Sequence, residues 1–111
     1  MASDLFQRFA ALHVSGDPLI LFNAWDAGSA QAVAKAGAKA VATGSASVAM
    51  ANGFGDGQEV PLEFALANAR RIAAAVDLPV TVDFEGAYSD EPAEGARNIA
   101  RLAEAASAAI N

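Results

Sequence analysis

Stretches with apolar residues at helical spacing alternate along this chain with short runs that are apolar throughout. Ser3 or Asp4 can cap a first helix that places Leu5, Phe6, Phe9, Ala10, Leu12 and Val14 at that spacing, and Gly16-Asp17-Pro18 breaks it. Residues 19–23, Leu-Ile-Leu-Phe-Asn, have the pattern of a strand buried on both faces. Asp26 or Ser29 can start the next helix, which ends near Gly37, and residues 39–43 form a second apolar strand. A small-residue loop at 43–47 and a glycine-rich segment at 52–57 follow. Pro61 suits the first turn of a helix running to about residue 76. Residues 79–84 are a third strand, Glu91-Pro92 opens a helix through about residue 105, and residues 108–111 begin a fourth strand.

Strands and helices in regular alternation predict a parallel sheet with right-handed crossovers. The segment lengths fit either a doubly wound sheet or a (β/α)₈ barrel, and both gather their chemistry at the carboxyl ends of the strands. Asn23, Asp26, Ser45, Asp56, Asp83 and Glu85 all fall at or just after such ends. No Gly-x-Gly-x-x-Gly fingerprint follows the first strand and no Walker-type loop occurs, which argues against a nucleotide site.

The third strand is the most informative. In Pro79-Val80-Thr81-Val82-Asp83-Phe84-Glu85-Gly86, strand alternation puts Asp83 and Glu85 on one face with Thr81, and Val80, Val82 and Phe84 on the other. Neighbouring acids repel, at a cost to stability unless a cation or a positive group lies between them. Hard cations such as Mg²⁺ take oxygen ligands of this kind.

Composition narrows the partners. At 111 residues the chain is long enough for one small domain with a core. Seven basic residues against thirteen acidic ones give a formal net charge of −6, which argues against nucleic acid as a partner. An acidic protein that handles acidic substrates needs a local positive charge, and a divalent metal supplies one. The chain has no cysteine, which excludes disulfides and thiolate chemistry within these residues. No apolar run is long enough to cross a bilayer, so no membrane partner is expected. The first residues lack a basic region followed by an apolar core, so the expected location is cytoplasmic.

Four segments in order carry a family resemblance: Asn23-Ala24-Trp25-Asp26-Ala27-Gly28-Ser29-Ala30, Ala42-Thr43-Gly44-Ser45-Ala46-Ser47-Val48-Ala49, Gly53-Phe54-Gly55-Asp56-Gly57 and Val82-Asp83-Phe84-Glu85-Gly86-Ala87-Tyr88. Jointly they resemble the isocitrate lyase / phosphoenolpyruvate mutase family. The resemblance implies an α/β fold, the N-terminal half of a (β/α)₈ TIM barrel with about four parallel strands, and residues 1–111 as one partial barrel domain. It also implies a Mg²⁺-dependent lyase acting on a C–C or C–P bond next to an α-keto acid or enolate.

The resemblance assigns Asp83 and Glu85 to the metal. It assigns Gly44, Ser45 and Ala46 to the substrate carboxylate, counts Trp25 among the substrate-binding residues as a packing residue of the rim, and places Asp56 on a mobile loop with a catalytic part. The expected substrate is a small carboxylate of the α-keto acid or 2-hydroxy tricarboxylate type, and the full-length protein is expected to be a homo-oligomer. Other readings are a non-catalytic α-keto acid-binding half-barrel, an α-keto acid decarboxylase, or a phosphonopyruvate hydrolase. His13 and the arginines at 70, 71, 97 and 101 read as surface groups.

Three departures stand out. The family often carries serine where this chain has Gly44. The turn after Glu85 is usually Gly-Gly-Tyr, and here it is Gly86-Ala87-Tyr88, which is awkward if position 87 needs positive φ. A whole barrel needs about 250 residues, so this length predicts a fragment that is inactive alone.

Overall fold

A computed structural model of the chain describes residues 2–106 and 109–110. The elements run α1 (Ala2–Ala11), β1 (Asn23–Ala24), α2 (Ala27–Lys35), β2 (Val41–Thr43), α3 (Ser45–Ala51), α4 (Leu62–Ala75), β3 (Val80–Val82), α5 (Pro92–Ala106) and β4 (Ala109–Ile110). The four strands are parallel and ordered β1-β2-β3-β4, the sequential order of a barrel wall rather than the reversing order of a doubly wound sheet. Residues 108 and 111, at either end of the expected fourth strand, lie outside the described residues.

Helix α2 shows how local sequence sets an element. Asp26 and Ser29, offered by the sequence as alternative starts, form one capping box. The Asp26 carboxylate accepts from the Ser29 N–H at 2.7 Å, and the Ser29 hydroxyl oxygen accepts from the Asp26 and Trp25 N–H groups at 3.1 and 2.9 Å. Gly37, at φ +102°, makes the left-handed turn that leads out of the helix. Helix α4 has Pro61 at its N-cap and Glu63 in its first turn, and it buries Leu66, Asn68, Ala69 and Ile72.

One core joins helices and sheet: Ala30 of α2, Leu66, Ala69 and Ile72 of α4 and Leu102 of α5 lie against Val41, Val80, Val82 and Phe84. Ile72 and Leu102 are wholly buried, each contributing about 1.5–3 kcal/mol. Register pairs Asn23 with Ala42, Ala42 with Thr81 and Thr81 with Ala109. Pleating sends this small, polar row to the face opposite Val41, Val80 and Val82. Arg101 of α5 binds Glu63 of α4 through both carboxylate oxygens, at 2.7 and 2.9 Å. Arg8 ties α1 to the Asp77 carbonyl at 3.1 Å.

The structure corrects three expectations. The first strand is only Asn23–Ala24; Ile20 and Phe22, expected inside a strand buried on both faces, are 72% and 63% exposed. The 43–47 loop is the start of α3, with Gly44 at the N-cap and the Ser47 hydroxyl donating to the Gly44 carbonyl at 2.9 Å. The third strand ends at Val82, so Asp83 and Glu85 belong to the turn that follows it.

Candidate functional site

The turn leaving β3 is built on Asp83. Its Oδ2 accepts from the Ser45 N–H at 3.1 Å and its Oδ1 from the Glu85 N–H at 3.2 Å, while its own N–H donates to the Thr43 hydroxyl oxygen at 3.1 Å. Two N–H groups thereby aim the carboxylate, one of them from the start of α3, and the Thr43 contact ties the Asp83 backbone to the end of β2. Glu85 is held by other groups: Oε1 accepts from the Gln58 N–H at 3.0 Å, and Oε2 lies 3.5 Å from the Tyr88 hydroxyl, at the limit of a hydrogen bond.

The backbone here is strained. Glu85, Ala87 and Tyr88 all take positive φ, at 53°, 59° and 59°. Each costs a non-glycine residue on the order of 1 kcal/mol, and such strain gathers at functional sites. The departure at Ala87 therefore falls where glycine would be easier. Strand alternation does not carry Glu85 onto one face with Asp83, because the strand has already ended and the chain has turned left-handed. Mutual repulsion of the two acids is countered by separate sets of donors.

A cavity of about 30 Å³ opens beside these acids, walled by Thr43, Ser45, Asp83 and Glu85 above and by Val60, Ile72 and Phe84 among others below. Its size suits a small ion or a water molecule. Tyr88 also borders it and packs on Phe84, with ring centroids 5.2 Å apart. Burial first, and the nearby Glu85 carboxylate second, push the Tyr88 phenol up to about 12. Among the described residues no three His, Cys, Asp or Glu side chains come together. Asp83 and Glu85 still fit Mg²⁺, which is commonly held by one or two carboxylates with water and substrate oxygens completing its shell.

The remaining candidates are placed unevenly. Ser45 lines the cavity, and Ala46, one residue on, is exposed. A Cβ at Gly44 would lie 2.8 Å from Asn23 Nδ2 and 3.1 Å from Ser47 Oγ, the ends of two side chains that would have to shift to admit it. Trp25 is 43% exposed at the exit of β1, and its carbonyl accepts from Asn68 Nδ2 at 3.1 Å. Asp56 is exposed, accepts from the N–H of adjacent Gly57 at 2.9 Å, and does not line the cavity. Asp26 serves the cap of α2. His13 stays at the end of α1, edge-on to Phe9.

Two participants escaped sequence reasoning. Asn68 lies on the apolar face of α4, in step with Ala65 and Ile72, and a polar residue at that spacing was a usable signal. Gln58 gave none: it sits in a glycine-rich loop, yet its side chain reaches the turn after Glu85.

A parallel half-barrel with acids on its carboxyl rim defines the class of protein, and comparison with known proteins gives the family. The family model described as phosphoenolpyruvate phosphomutase matches residues 9–111. An uncharacterized Mycobacterium tuberculosis protein is 38% identical over 97 residues, which cover 87% of this chain and 37% of that protein. A crystal structure of a candidate phosphonomutase from Burkholderia cenocepacia is 50% identical, with a TM-score of 0.90, over 94% of this chain and 42% of its own. A 2,3-dimethylmalate lyase, a member of the PEP mutase/isocitrate lyase superfamily, is 25% identical with a TM-score of 0.78, over 98% of this chain and 38% of its own.

The chain belongs to the phosphoenolpyruvate phosphomutase family, and its architecture is the N-terminal half of a TIM barrel. It spans about two-fifths of the length of these relatives. None of the described helices is long and apolar enough to cross a membrane.

Proposed function

We propose that the full-length protein is a Mg²⁺-dependent lyase or mutase acting on a C–C or C–P bond beside the carbonyl of an α-keto acid, and that this stretch supplies its metal-holding rim. The observation that carries the reading is Asp83, an acid at a strand exit oriented by backbone N–H groups of Ser45 and Glu85 and bordering an ion-sized cavity. Asp83 and Glu85 would hold the ion. Bound there, Mg²⁺ would stabilise negative charge developing at the substrate carbonyl.

The chain's own groups set the stage. Ser45 and its neighbours Gly44 and Ala46 offer hydroxyl and backbone N–H groups to a substrate carboxylate at the start of α3. Phe84 and Tyr88 line the apolar side of the cavity. In this reading Trp25 flanks the rim and the loop bearing Asp56 would close over it when substrate is bound. The substrate is a small carboxylate, and the full-length protein is a cytoplasmic homo-oligomer in this reading. The 111-residue stretch by itself is expected to be inactive.

The test is Asp83→Ala in the full-length protein, assayed with C–C and C–P substrates and titrated with Mg²⁺ and oxalate, an enolate mimic. Turnover and Mg²⁺-dependent oxalate binding should both disappear. Unchanged Mg²⁺-dependent turnover would sink the metal assignment, and oxalate binding that ignores Mg²⁺ would favour a non-catalytic binding module.

A further inference from the structure

The loop between α3 and α4 and the turn after β3 meet at Gln58, through its side chain and its backbone N–H. Gln58 Oε1 accepts from the Gly86 N–H at 2.8 Å and from the Tyr88 N–H at 3.1 Å. Its own N–H donates to Glu85 Oε1 at 3.0 Å. One residue thus binds backbone on both sides of Ala87 and the acid that opens the turn.

Two further observations show that this contact is built. Gln58 takes φ +64°, a conformation easier for glycine, in a loop that already carries glycines at 53, 55 and 57. Keeping Gln there makes sense through what its side chain binds. Gly86 has no positive φ that would demand glycine, yet a Cβ there would lie 2.9 Å from Gln58 Oε1. The absence of a side chain at 86 is what admits the Gln58 carbonyl. On the loop side, Glu59 accepts from the Gly55 N–H at 2.9 Å, so the segment presenting Gln58 is itself braced.

We propose that Gln58 is a positioning residue, a latch that fixes the strained turn after β3 and so sets the orientation of Glu85 at the cavity. It touches neither ion nor substrate; it acts through Glu85. The inference rests on the reading of Glu85 as a metal-holding acid. It also ties the loop carrying Asp56 to that acid, so the position of the loop and the readiness of the site change together.

The test compares Gln58→Met, which keeps length but removes the acceptor, with Gln58→Glu, which keeps an acceptor. Both are made in the full-length protein alongside Asp83→Ala. Amide exchange at Gly86 and Tyr88 should speed up roughly fivefold to tenfold in Gln58→Met, the weight of one ordinary hydrogen bond, and return to the original rate in Gln58→Glu. Amides of β2 and β3 should keep their protection. Affinity for Mg²⁺, read by calorimetry, should fall by about tenfold in Gln58→Met, as for other groups that orient a metal ligand.

Unchanged exchange at Gly86 and Tyr88 overturns the latch. Faster exchange with unchanged Mg²⁺ affinity, while Asp83→Ala abolishes binding, overturns its role at Glu85 and leaves the metal reading standing. If Asp83→Ala itself leaves Mg²⁺ binding intact, the metal reading falls. The latch then stands or falls on the two amides alone.

Discussion

The exits of β1 and β3 each carry an acid within two residues of the strand end, and they use that acid in opposite ways. At β1, Asp26 binds a backbone N–H only three residues away and serves helix α2. At β3, Asp83 reaches Ser45, 38 residues back, and Glu85 is gripped by Gln58, 27 residues back. Asp26 sits in extended backbone at φ −158°, whereas Glu85, Ala87 and Tyr88 are all left-handed. An acid whose partners are local stabilises its own helix. An acid fixed by distant segments, on a strained turn, has an orientation that the whole fold maintains. The second arrangement is the one expected of a site.

Exchanging the acids tests this contrast most directly. Asp83→Asn should abolish Mg²⁺ binding in the full-length protein with little change in melting temperature, whereas Asp26→Asn should leave Mg²⁺ binding untouched. Loss of binding in both, measured by calorimetry, would erase the distinction between the two exits.

A cap removed outright has a smaller effect. Asp26→Ala should cost about 1 kcal/mol of stability by chemical denaturation. The Ser29 N–H, and then its hydroxyl, hold the Asp26 carboxyl below its ordinary value of 3.8. A depressed acid stabilises the fold above its unfolded value. That part of the stability is therefore complete above about pH 4 and is lost as pH falls through the lowered value. The pH dependence should vanish in Asp26→Ala.

At the other exit the sign reverses in the alkaline range. The Tyr88 phenol is raised from 10.0 to about 12, so its contribution is complete below pH 10 and is lost as pH climbs towards 12. An NMR titration of the Tyr88 ring should give the high midpoint. Glu85→Gln should lower it only in part, because burial is the larger cause. A return to the ordinary value would make Glu85 the dominant influence.

The smallest effect belongs to Ala87. Ala87→Gly should raise stability by about 0.5–1 kcal/mol, since glycine accepts φ +59° without strain. The gain is limited because Ala87 packs against the core. A loss of stability would show that this contact outweighs the backbone strain.

What the sequence could not show follows from the range of the interactions involved. Capping is local, so both partners of the α2 cap were readable, as was the break at Gly37; the first helix, expected to run past Val14 to Gly16, ends already at Ala11. Alternation gave a parallel sheet but left a doubly wound sheet and a barrel both open; the sequential order was implied only by the family resemblance. The length of β1 was not readable, because ladder partners are distant in sequence: residues 19–22 have strand composition without a place in the described sheet. Residues 43–47 looked like a loop because serine and glycine favour turns, yet here the same groups start a helix. Asp83 and Glu85 were readable as a pair, but the strand periodicity that paired them stops before it reaches them. Gln58 has meaning only once the chain is folded.

Gly44 has a consequence for anyone transplanting loops within this family. A side chain introduced at position 44 meets the ends of the Asn23 and Ser47 side chains, which must move to admit it. Serine at position 44 should be better accepted when Asn23 is shortened as well. At their rim the first and second strands therefore share one space, and positions 23 and 44 are best redesigned together.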